Sequence, residues 1–245
     1  MKILALETTE KYGSVALLNL NSPKQSVTQP PDILAEIILP KDQRSSQTLH
    51  PAMYSLFETT QTDPTDVEIV AVVAGPGSFT GLRVGITAAK VFAYTAGARV
   101  IALDTFLTVA SAAFRDKVPG SLLSVGVDAQ RKEVVAAVLR QAEGGRVEFV
   151  REPELIAVAD WWTLAEQYHD MLFSGPALER WGDKSPPHVV FAPESGWFPK
   201  ASVAGQLAAE RMVSGQFDDV WGLLPIYSRP SAAEEKRQQS QKRWA

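Results

Sequence analysis

Residues 67–96 read VEIVAVVAGPGSFTGLRVGITAAKVFAYTA, and this stretch decides the fold. The run at 67–74 is rich in β-branched residues and predicts a buried strand. GPGSFTG at 75–81 predicts a turn, after which a helix is expected to run to about Ala96. A strand that leads directly into a helix is the repeating unit of α/β proteins, so the sequence indicates that class.

The turn itself is the most specific motif in the chain. Gly75 and Gly77 can adopt turn dihedrals that other residues avoid, Pro76 stiffens the turn, and Ser78 is placed to cap the helix. Helix N-termini of this kind attract anions, so a phosphate or nucleotide loop is one interpretation. The lysine of a P-loop is absent after the second glycine, and the glycines do not have dinucleotide-binding spacing. The pattern therefore favours a tight structural connection.

The helix after the turn carries small residues on one face. Gly81, Gly85 and Ala89 recur every four residues, and each mid-helix glycine costs about 1 kcal/mol relative to alanine. Close approach of another backbone would offset that cost. Either the chain's own sheet or a helix of a partner subunit can supply that backbone, and the pattern alone leaves both open.

The residues before this stretch predict a further strand hairpin and a first helix. Apolar runs at 2–6, 14–20 and 33–39 indicate strands, and the helical spacing of Leu49, Met53, Leu56 and Phe57 predicts a helix over 45–59. After it, 100–103 predicts a strand, and Asp104 or Thr105 can cap a helix that reaches about Phe114.

The second half begins like the first. SLLSVGVDAQRKEVVAAVL at 121–139 repeats the strand, carboxylate, turn and strand of the N-terminus, with Asp128 in the place of Glu7 and Val138 in the place of Leu17. This repeat suggests two lobes that face each other through paired acids. We expect an N-terminal lobe over 1–116, a C-terminal lobe over 117–230 and a charged tail over 231–245.

Composition excludes several classes of protein. The chain has 245 residues and a net charge of −4, from 24 Lys plus Arg against 28 Asp plus Glu, which argues against unaided binding to nucleic acid. It has no cysteine, which excludes disulfides, thiolate zinc sites and a cysteine nucleophile. Neither a signal peptide nor a membrane span is expected from its apolar runs, so we expect a cytoplasmic protein.

Catalytic chemistry has few candidates. Glu7 and Asp128 end predicted strands, where an ATPase would hold Mg²⁺, but neither is followed by glycine, so a solvated or turn-capping carboxylate is the stronger interpretation. His50, His169 and His188 are far apart in sequence, and no G-x-S-x-G elbow occurs. The sequence therefore predicts no catalytic, cofactor-binding or metal-binding residues.

Four segments resemble the TsaB (YeaZ) family. They are GPGSFTGLRVGITAAK at 75–90, ILALETTEKYGSVALL at 3–18, DAQRKEVVAAVL at 128–139 and PIYSRPSA at 225–232. The third is similar to the family's D-A-R-x-x-E-V-Y pattern, from which Gln130 and Val135 depart. Glu7 stands where an aspartate is frequent. The resemblance spans about Ile3 to Arg229, and its first segment is the most specific.

The resemblance implies a two-lobed fold of the actin, sugar-kinase and heat-shock ATPase type, a duplicated mixed sheet with flanking helices. It implies a non-catalytic subunit of the machinery that attaches threonylcarbamoyl to the tRNA adenosine beside the anticodon. TsaD, the catalytic subunit of that machinery and similar in fold, carries a metal-binding histidine pair on its first helix. The matching stretch of this chain offers only His50. A stand-alone ATPase or a glycoprotease-like peptidase of the same fold is the alternative.

The resemblance also implies partners. These are a TsaD-like catalytic subunit, a TsaE-like ATPase within the complex, a second copy of the chain when it is alone, and tRNA only through the complex. In the family the first two helices form the subunit interface. The residues expected there are Leu49, Met53, Phe57, Gly81, Gly85 and Ala89.

Overall fold

Two five-stranded mixed sheets form the centre of the protein. The computed structural model describes residues 1–21, 30–115 and 117–229. The first sheet contains β1 (Lys2–Glu7), β2 (Ser14–Asn19), β3 (Asp32–Ile38), β4 (Val67–Gly75) and β5 (Arg99–Asp104). The second contains β6 (Leu122–Asp128), β7 (Glu133–Gln141), β8 (Val147–Ala157), β9 (Leu172–Ser174) and β10 (Val190–Phe191). We call the two sheets with the helices that cover them the first and second lobes.

Both sheets have the same topology. The first has the order β3-β2-β1-β4-β5 and the second the order β8-β7-β6-β9-β10. In each, the first three strands form an antiparallel meander, and the last two run parallel to the first strand. The duplication that the sequence shows in one hairpin therefore extends over five strands.

In the described part of the chain, six α-helices cover the sheets. They are α1 (Ser45–Thr60), α2 (Phe79–Ala96), α3 (Thr105–Ala113), α4 (Val158–Gln167), α5 (Leu178–Trp181) and α6 (Ala201–Val213). α1 and α2 share one face of the first sheet, and α4 and α5 share one face of the second. None of the helices in the described part of the chain combines the length and apolar character that crossing a membrane requires.

The other face of each sheet is covered by a helix from the opposite half of the sequence. α6 packs on the first sheet, where Ala204 and Ala208 contact the apolar side chains of β1, β2, β4 and β5. α3 follows the first sheet but packs on the second through Phe106 and Val109. The expected division at 116–117 places α6 in the C-terminal lobe, yet its contacts are with the N-terminal sheet. The expected tail at 231–245 lies outside the described residues.

A C-terminal segment, residues 216–229, returns to the first lobe, and we call it the strap. Asp218 donates its backbone N–H to Val100, and Ile226 donates its own to Ala74, at 2.9 and 2.8 Å. The strap thus follows the first sheet at β5 and β4 before it reaches the loop that follows β4. Arg229 then forms an ion pair with Glu133 of the second lobe.

The small-residue face of α2 lies against the chain's own first strand. A Cβ at Gly81 would overlap the backbone oxygen of Thr8, and a Cβ at Gly85 would overlap the Thr8 hydroxyl. That hydroxyl donates a hydrogen bond to the Gly81 carbonyl at 2.8 Å. The backbone that approaches these glycines is therefore the turn after β1.

The residues expected to contact a partner are all buried within the chain. They are Leu49, Met53, Phe57, Gly81, Gly85 and Ala89. Their burial gives them a role within the chain, because the first sheet needs an apolar cover on this side, and the partner contact expected of them stays a prediction. Helical spacing identifies the buried face of a helix without showing which molecule covers it.

We expect Gly81→Ala to destabilise the protein. Alanine in a helix gains about 1 kcal/mol over glycine, but the overlap with the Thr8 carbonyl forces a backbone shift of the kind that costs about 1–3 kcal/mol in packed sites. Thermal melting should show the loss. Thr87→Ala, on the exposed face of the same helix, is the matched control and should melt like the parent. A Gly81→Ala protein that melts at or above the parent temperature would contradict this packing.

Candidate functional site

The ends of β1, β4 and β6 meet the strap at the cleft between the lobes. The loop after β4, predicted as a structural connection, runs through Gly75, Pro76, Gly77 and Ser78. Gly75 has φ of 125°, a value that L side chains rarely adopt, and a Cβ there would overlap the carbonyl of Ile226 in the strap. The Ser78 side chain accepts a hydrogen bond from the Gly81 N–H at 3.3 Å, which is the helix cap that the sequence predicts.

The chain's own backbone fills this loop. The Ser78 N–H donates to the Thr9 carbonyl at 2.6 Å. A Cβ at Gly77 would also meet that carbonyl, at 2.6 Å. An N–H that a phosphate could use at such a helix N-terminus is therefore engaged within the molecule. This geometry supports a structural role for the loop.

Glu7 is fully buried in the turn between β1 and β2. Its Oε1 accepts hydrogen bonds from the backbone N–H and the hydroxyl of Thr9, both at 2.5 Å, and its Oε2 has no hydrogen-bond partner. Burial raises the pKa of Glu7 to about 8, against the opposing effect of the Thr9 hydrogen bonds. The carboxyl is thus largely protonated near neutral pH and acts as an internal support of the turn.

Asp128 does not occupy the place of Glu7. Leu4 pairs with Leu17 in the first sheet, and Ser124 pairs with Val138 in the second. If Leu17 corresponds to Val138, as the sequence suggests, the first-lobe partner of Asp128 is Thr8. Successive side chains of a strand point to opposite faces, so a slip of one residue places Glu7 and Asp128 on opposite faces of their sheets. The predicted pair of facing acids is therefore wrong.

The Asp128 carboxylate is held within the second lobe. Its Oδ2 accepts from Arg180 at 2.9 Å, and its Oδ1 accepts from the Trp181 indole at 3.2 Å and from the Gln130 N–H at 3.1 Å. Both carboxylates that the sequence singled out, Glu7 and Asp128, therefore accept hydrogen bonds from groups of their own lobe. Neither arrangement resembles a nucleophile with its base.

Side chains from the two lobes contact each other across the cleft. Lys11 forms an ion pair with Glu179 at 2.5 Å, and the Tyr12 hydroxyl donates to the same carboxylate at 3.1 Å. Tyr12 also packs edge-to-face on Phe198 with ring centres 4.6 Å apart. Glu10, near these groups, has a pKa raised to about 8 by burial and by the neighbouring carboxylates, among them Glu7 and Asp128.

A polar cavity of about 330 Å³ opens beside the β1–β2 turn, lined by Thr8, Glu10, Arg44 and Thr80 among others. Within residues 1–21, 30–115 and 117–229, no cluster of three or more His, Asp or Glu side chains is arranged to hold a metal ion. His50, His169 and His188 are exposed and lie on separate elements.

Exposed aromatic and apolar side chains cluster where α2 meets the strap. Tyr94 and Trp221 are 70% and 69% exposed, and their ring centres lie 5.5 Å apart. Val91 precedes Tyr94 by one turn and is also exposed, and Tyr54 is exposed on α1. The two helices contact each other through Phe57 and Phe92, whose rings stack at 5.7 Å. We call Tyr54, Val91, Tyr94 and Trp221 the aromatic surface.

Sequence reasoning missed the strap. The sequence marks PIYSRP at 225–230 only through a family resemblance. In the structure, Tyr227 stacks on Phe79 at 4.5 Å and accepts a hydrogen bond from Arg83 at 2.9 Å. The one available signal was the unusual density of Trp, Tyr, Leu and Ile in a stretch with no helical or strand period. Nothing in that signal indicates which surface the segment covers.

Comparison with known proteins gives concordant results. A family model described as TsaD, tRNA N6-adenosine threonylcarbamoyltransferase, matches residues 32–212. The chain is 29% identical to the tRNA threonylcarbamoyladenosine biosynthesis protein TsaB of Bacillus subtilis (strain 168), over 99% of this chain and 100% of that protein. It is 26% identical to the protein of the same name from Escherichia coli (strain K12), over 96% and 98% of the two chains.

Two solved structures show the same fold. YeaZ from Pseudomonas aeruginosa superposes with a TM-score of 0.71 at 22% identity, over 92% of this chain and 99% of that chain. A structure described as an uncharacterized protein with similarity to peptidase YEAZ from Pseudomonas aeruginosa gives a TM-score of 0.72 at 20% identity, over 93% and 99%. The two-lobed actin-like α/β fold expected from the sequence is thereby confirmed.

Stability should fall as pH rises from about 5.5 to 8. The folded protein keeps a proton on Glu7 up to a pKa of about 8, whereas the unfolded chain loses it near 4.5. The folded state therefore binds more protons in this window, and raising pH favours unfolding by up to about 1.4 kcal/mol per pH unit for such a group. Glu7→Gln should flatten the dependence in urea unfolding at several pH values. The exposed Glu58→Gln is the control, and equal slopes for Glu7→Gln and the parent would refute the assignment.

Proposed function

This chain belongs to the TsaD family, tRNA N6-adenosine threonylcarbamoyltransferases, and to its TsaB (YeaZ) branch, and we propose that it serves tRNA threonylcarbamoyladenosine biosynthesis as a subunit that supports a separate catalytic chain. The observation that carries the proposal is the end-to-end alignment with two curated TsaB proteins. A shared fold alone would not carry it, since this architecture is used for many functions.

A non-catalytic role is supported by the state of the cleft. The Thr9 carbonyl engages the loop after β4, Glu7 supports its own turn, and Asp128 is bound by Arg180 and Trp181. Groups that would otherwise contact a nucleotide, a metal ion or an attacking water are engaged within the chain. No contact among the described residues favours the alternative of a stand-alone ATPase or peptidase.

The catalytic partner in this proposal is a TsaD-like subunit, joined by a TsaE-like ATPase, with tRNA reached only through the complex in the cytoplasm. The docking surface is the aromatic surface on α1, α2 and the strap, and the same surface joins two copies when the chain is alone. Large exposed aromatic side chains favour this choice, since Trp and Tyr are enriched among residues that dominate binding energy. The six residues predicted from sequence lie on the buried faces of the same two helices.

We expect Tyr94→Glu and Trp221→Glu each to weaken binding to the TsaD-like subunit by about 10²-fold, as truncation of a central interface residue does. Isothermal titration would measure this. Val190→Glu is the matched control, since Val190 is 58% exposed on β10, in the second lobe. Melting temperatures near that of the parent would show that the variants fold. Unchanged affinity for both variants would place the partner elsewhere.

A reconstituted transfer assay tests the division of labour. The isolated chain should not transfer threonylcarbamoyl to tRNA, and adding it to the TsaD-like and TsaE-like proteins should restore transfer. Glu7→Gln and Asp128→Asn should support the same rate per folded complex, because both carboxylates serve internal contacts. Transfer by the isolated chain, or full activity of the other proteins without it, would contradict the proposal.

A further inference from the structure

A cavity of about 600 Å³ lies between the lobes on a side that the proposed function does not use. Its walls come from the end of β5, α3, α6, the start of β8 and the strap. This volume is within the range of small-molecule sites in proteins, which are concave, mostly apolar and often placed between domains.

One part of the cavity is apolar. Leu107 of α3, Leu207 of α6 and Ile226 of the strap line it. Because these three residues come from different elements, the apolar wall exists only in the assembled fold. The strap is held over it by the hydrogen bonds of Asp218 and Ile226 to the first sheet.

The polar part presents two carboxyl groups without a counter-ion. Asp104 caps α3 through Oδ1, which accepts from the N–H groups of Phe106 and Leu107 at 2.7 and 3.1 Å. Among the described residues, Asp104 Oδ2 and the Glu210 carboxylate accept no hydrogen bond and form no ion pair. The Ser111 hydroxyl oxygen is buried in the same wall without a hydrogen-bond partner.

The cations of the cavity do not neutralise these acids. Arg211 donates to the Ala102 carbonyl and pairs with Asp218 at 3.4 Å. Arg146 is exposed and pairs with no described residue. Burial raises the pKa of Asp104 to about 6, with a smaller contribution from Glu152, and also raises that of Glu210. Asp104 is half-buried and Glu210 is exposed at the cavity, and no cation of the described chain pairs with either, so a cationic ligand would be favoured beside them.

We propose that this cavity binds a small organic cation, with an ammonium group facing the carboxylates of Asp104 and Glu210 and an apolar body against Leu107, Leu207 and Ile226. The ammonium supplies the charge and donors that these acids lack, and the apolar walls favour an aromatic or branched aliphatic body. The site is independent of the aromatic surface and of any role in tRNA modification.

Benzylamine is the probe, and benzyl alcohol is its uncharged counterpart of similar shape. Titration of the full-length protein at pH 7.5, followed by amide chemical shifts, should show saturable binding of benzylamine that perturbs α3, α6 and the strap. Benzyl alcohol should bind at least about tenfold more weakly than benzylamine, because it leaves the carboxylates without a cation.

Charge-neutral variants locate the ammonium. Glu210→Gln should weaken benzylamine about tenfold, and Asp104→Asn should do the same while asparagine preserves the cap of α3. Glu58→Gln on α1, far from the cavity walls, is the matched control and should bind like the parent. Melting curves of all three variants would separate loss of binding from loss of fold.

A pH series adds an independent readout. Benzylamine affinity should rise between pH 5 and 7.5 as Asp104 ionises through about 6, while the ammonium stays charged. The charged groups around the cavity are Asp104, Arg146, Glu152, Glu210, Arg211 and Asp218. Equal affinity for benzylamine and benzyl alcohol would overturn the proposal. Unchanged affinity in both variants, or no saturable binding up to about 10 mM benzylamine, would overturn it as well.

Discussion

The close contact between the turn after β1 and the start of α2 is the constraint on which the rest of the structure depends. The Thr8 hydroxyl reaches the Gly81 carbonyl, and the Thr9 carbonyl takes the Ser78 N–H. This approach is possible only because Gly81 and Gly85 carry no side chain. It fixes the position of α2 on the sheet, and α2 in turn positions α1 through the stacked Phe57 and Phe92. The arrangement of the cleft, the aromatic surface and the strap follows from that one contact.

Local features of the sequence predicted most of the elements. The strand over 67–74, the Ser78 and Asp104 caps and the helix over 45–59 all lie where their patterns place them, because capping and periodicity are decided by neighbours in the chain. The features that the sequence did not predict depend on contacts between residues far apart in the chain. The short strands β9 and β10 and the strap have no period of their own. The covering of α2 by Thr8 joins residues 73 positions apart.

The misplaced acids illustrate a second kind of failure. Aligning Glu7 with Asp128 treats two carboxylates as equivalent because they share a residue class, but strand registers allow only an even shift if side chains are to keep their face. One additional residue in the turn between β6 and β7 is enough to place Thr8, and not Glu7, at the position equivalent to Asp128. The register of the strands is therefore stronger evidence that two residues are equivalent than the similarity of their side chains.

The exchange of α3 and α6 between the lobes has a bearing on how the protein is made. The back of the first sheet carries Ile3, Ala5, Ala16 and Leu18, which α6 covers. A ribosome adds about 5–20 residues per second, so roughly 100 residues, or about 5–20 s of synthesis, separate the completed sheet from its cover. During that interval the nascent chain displays a bare apolar sheet face to the cell. We therefore expect chains truncated before residue 201, which lack this cover, to aggregate and not to fold as an isolated first lobe.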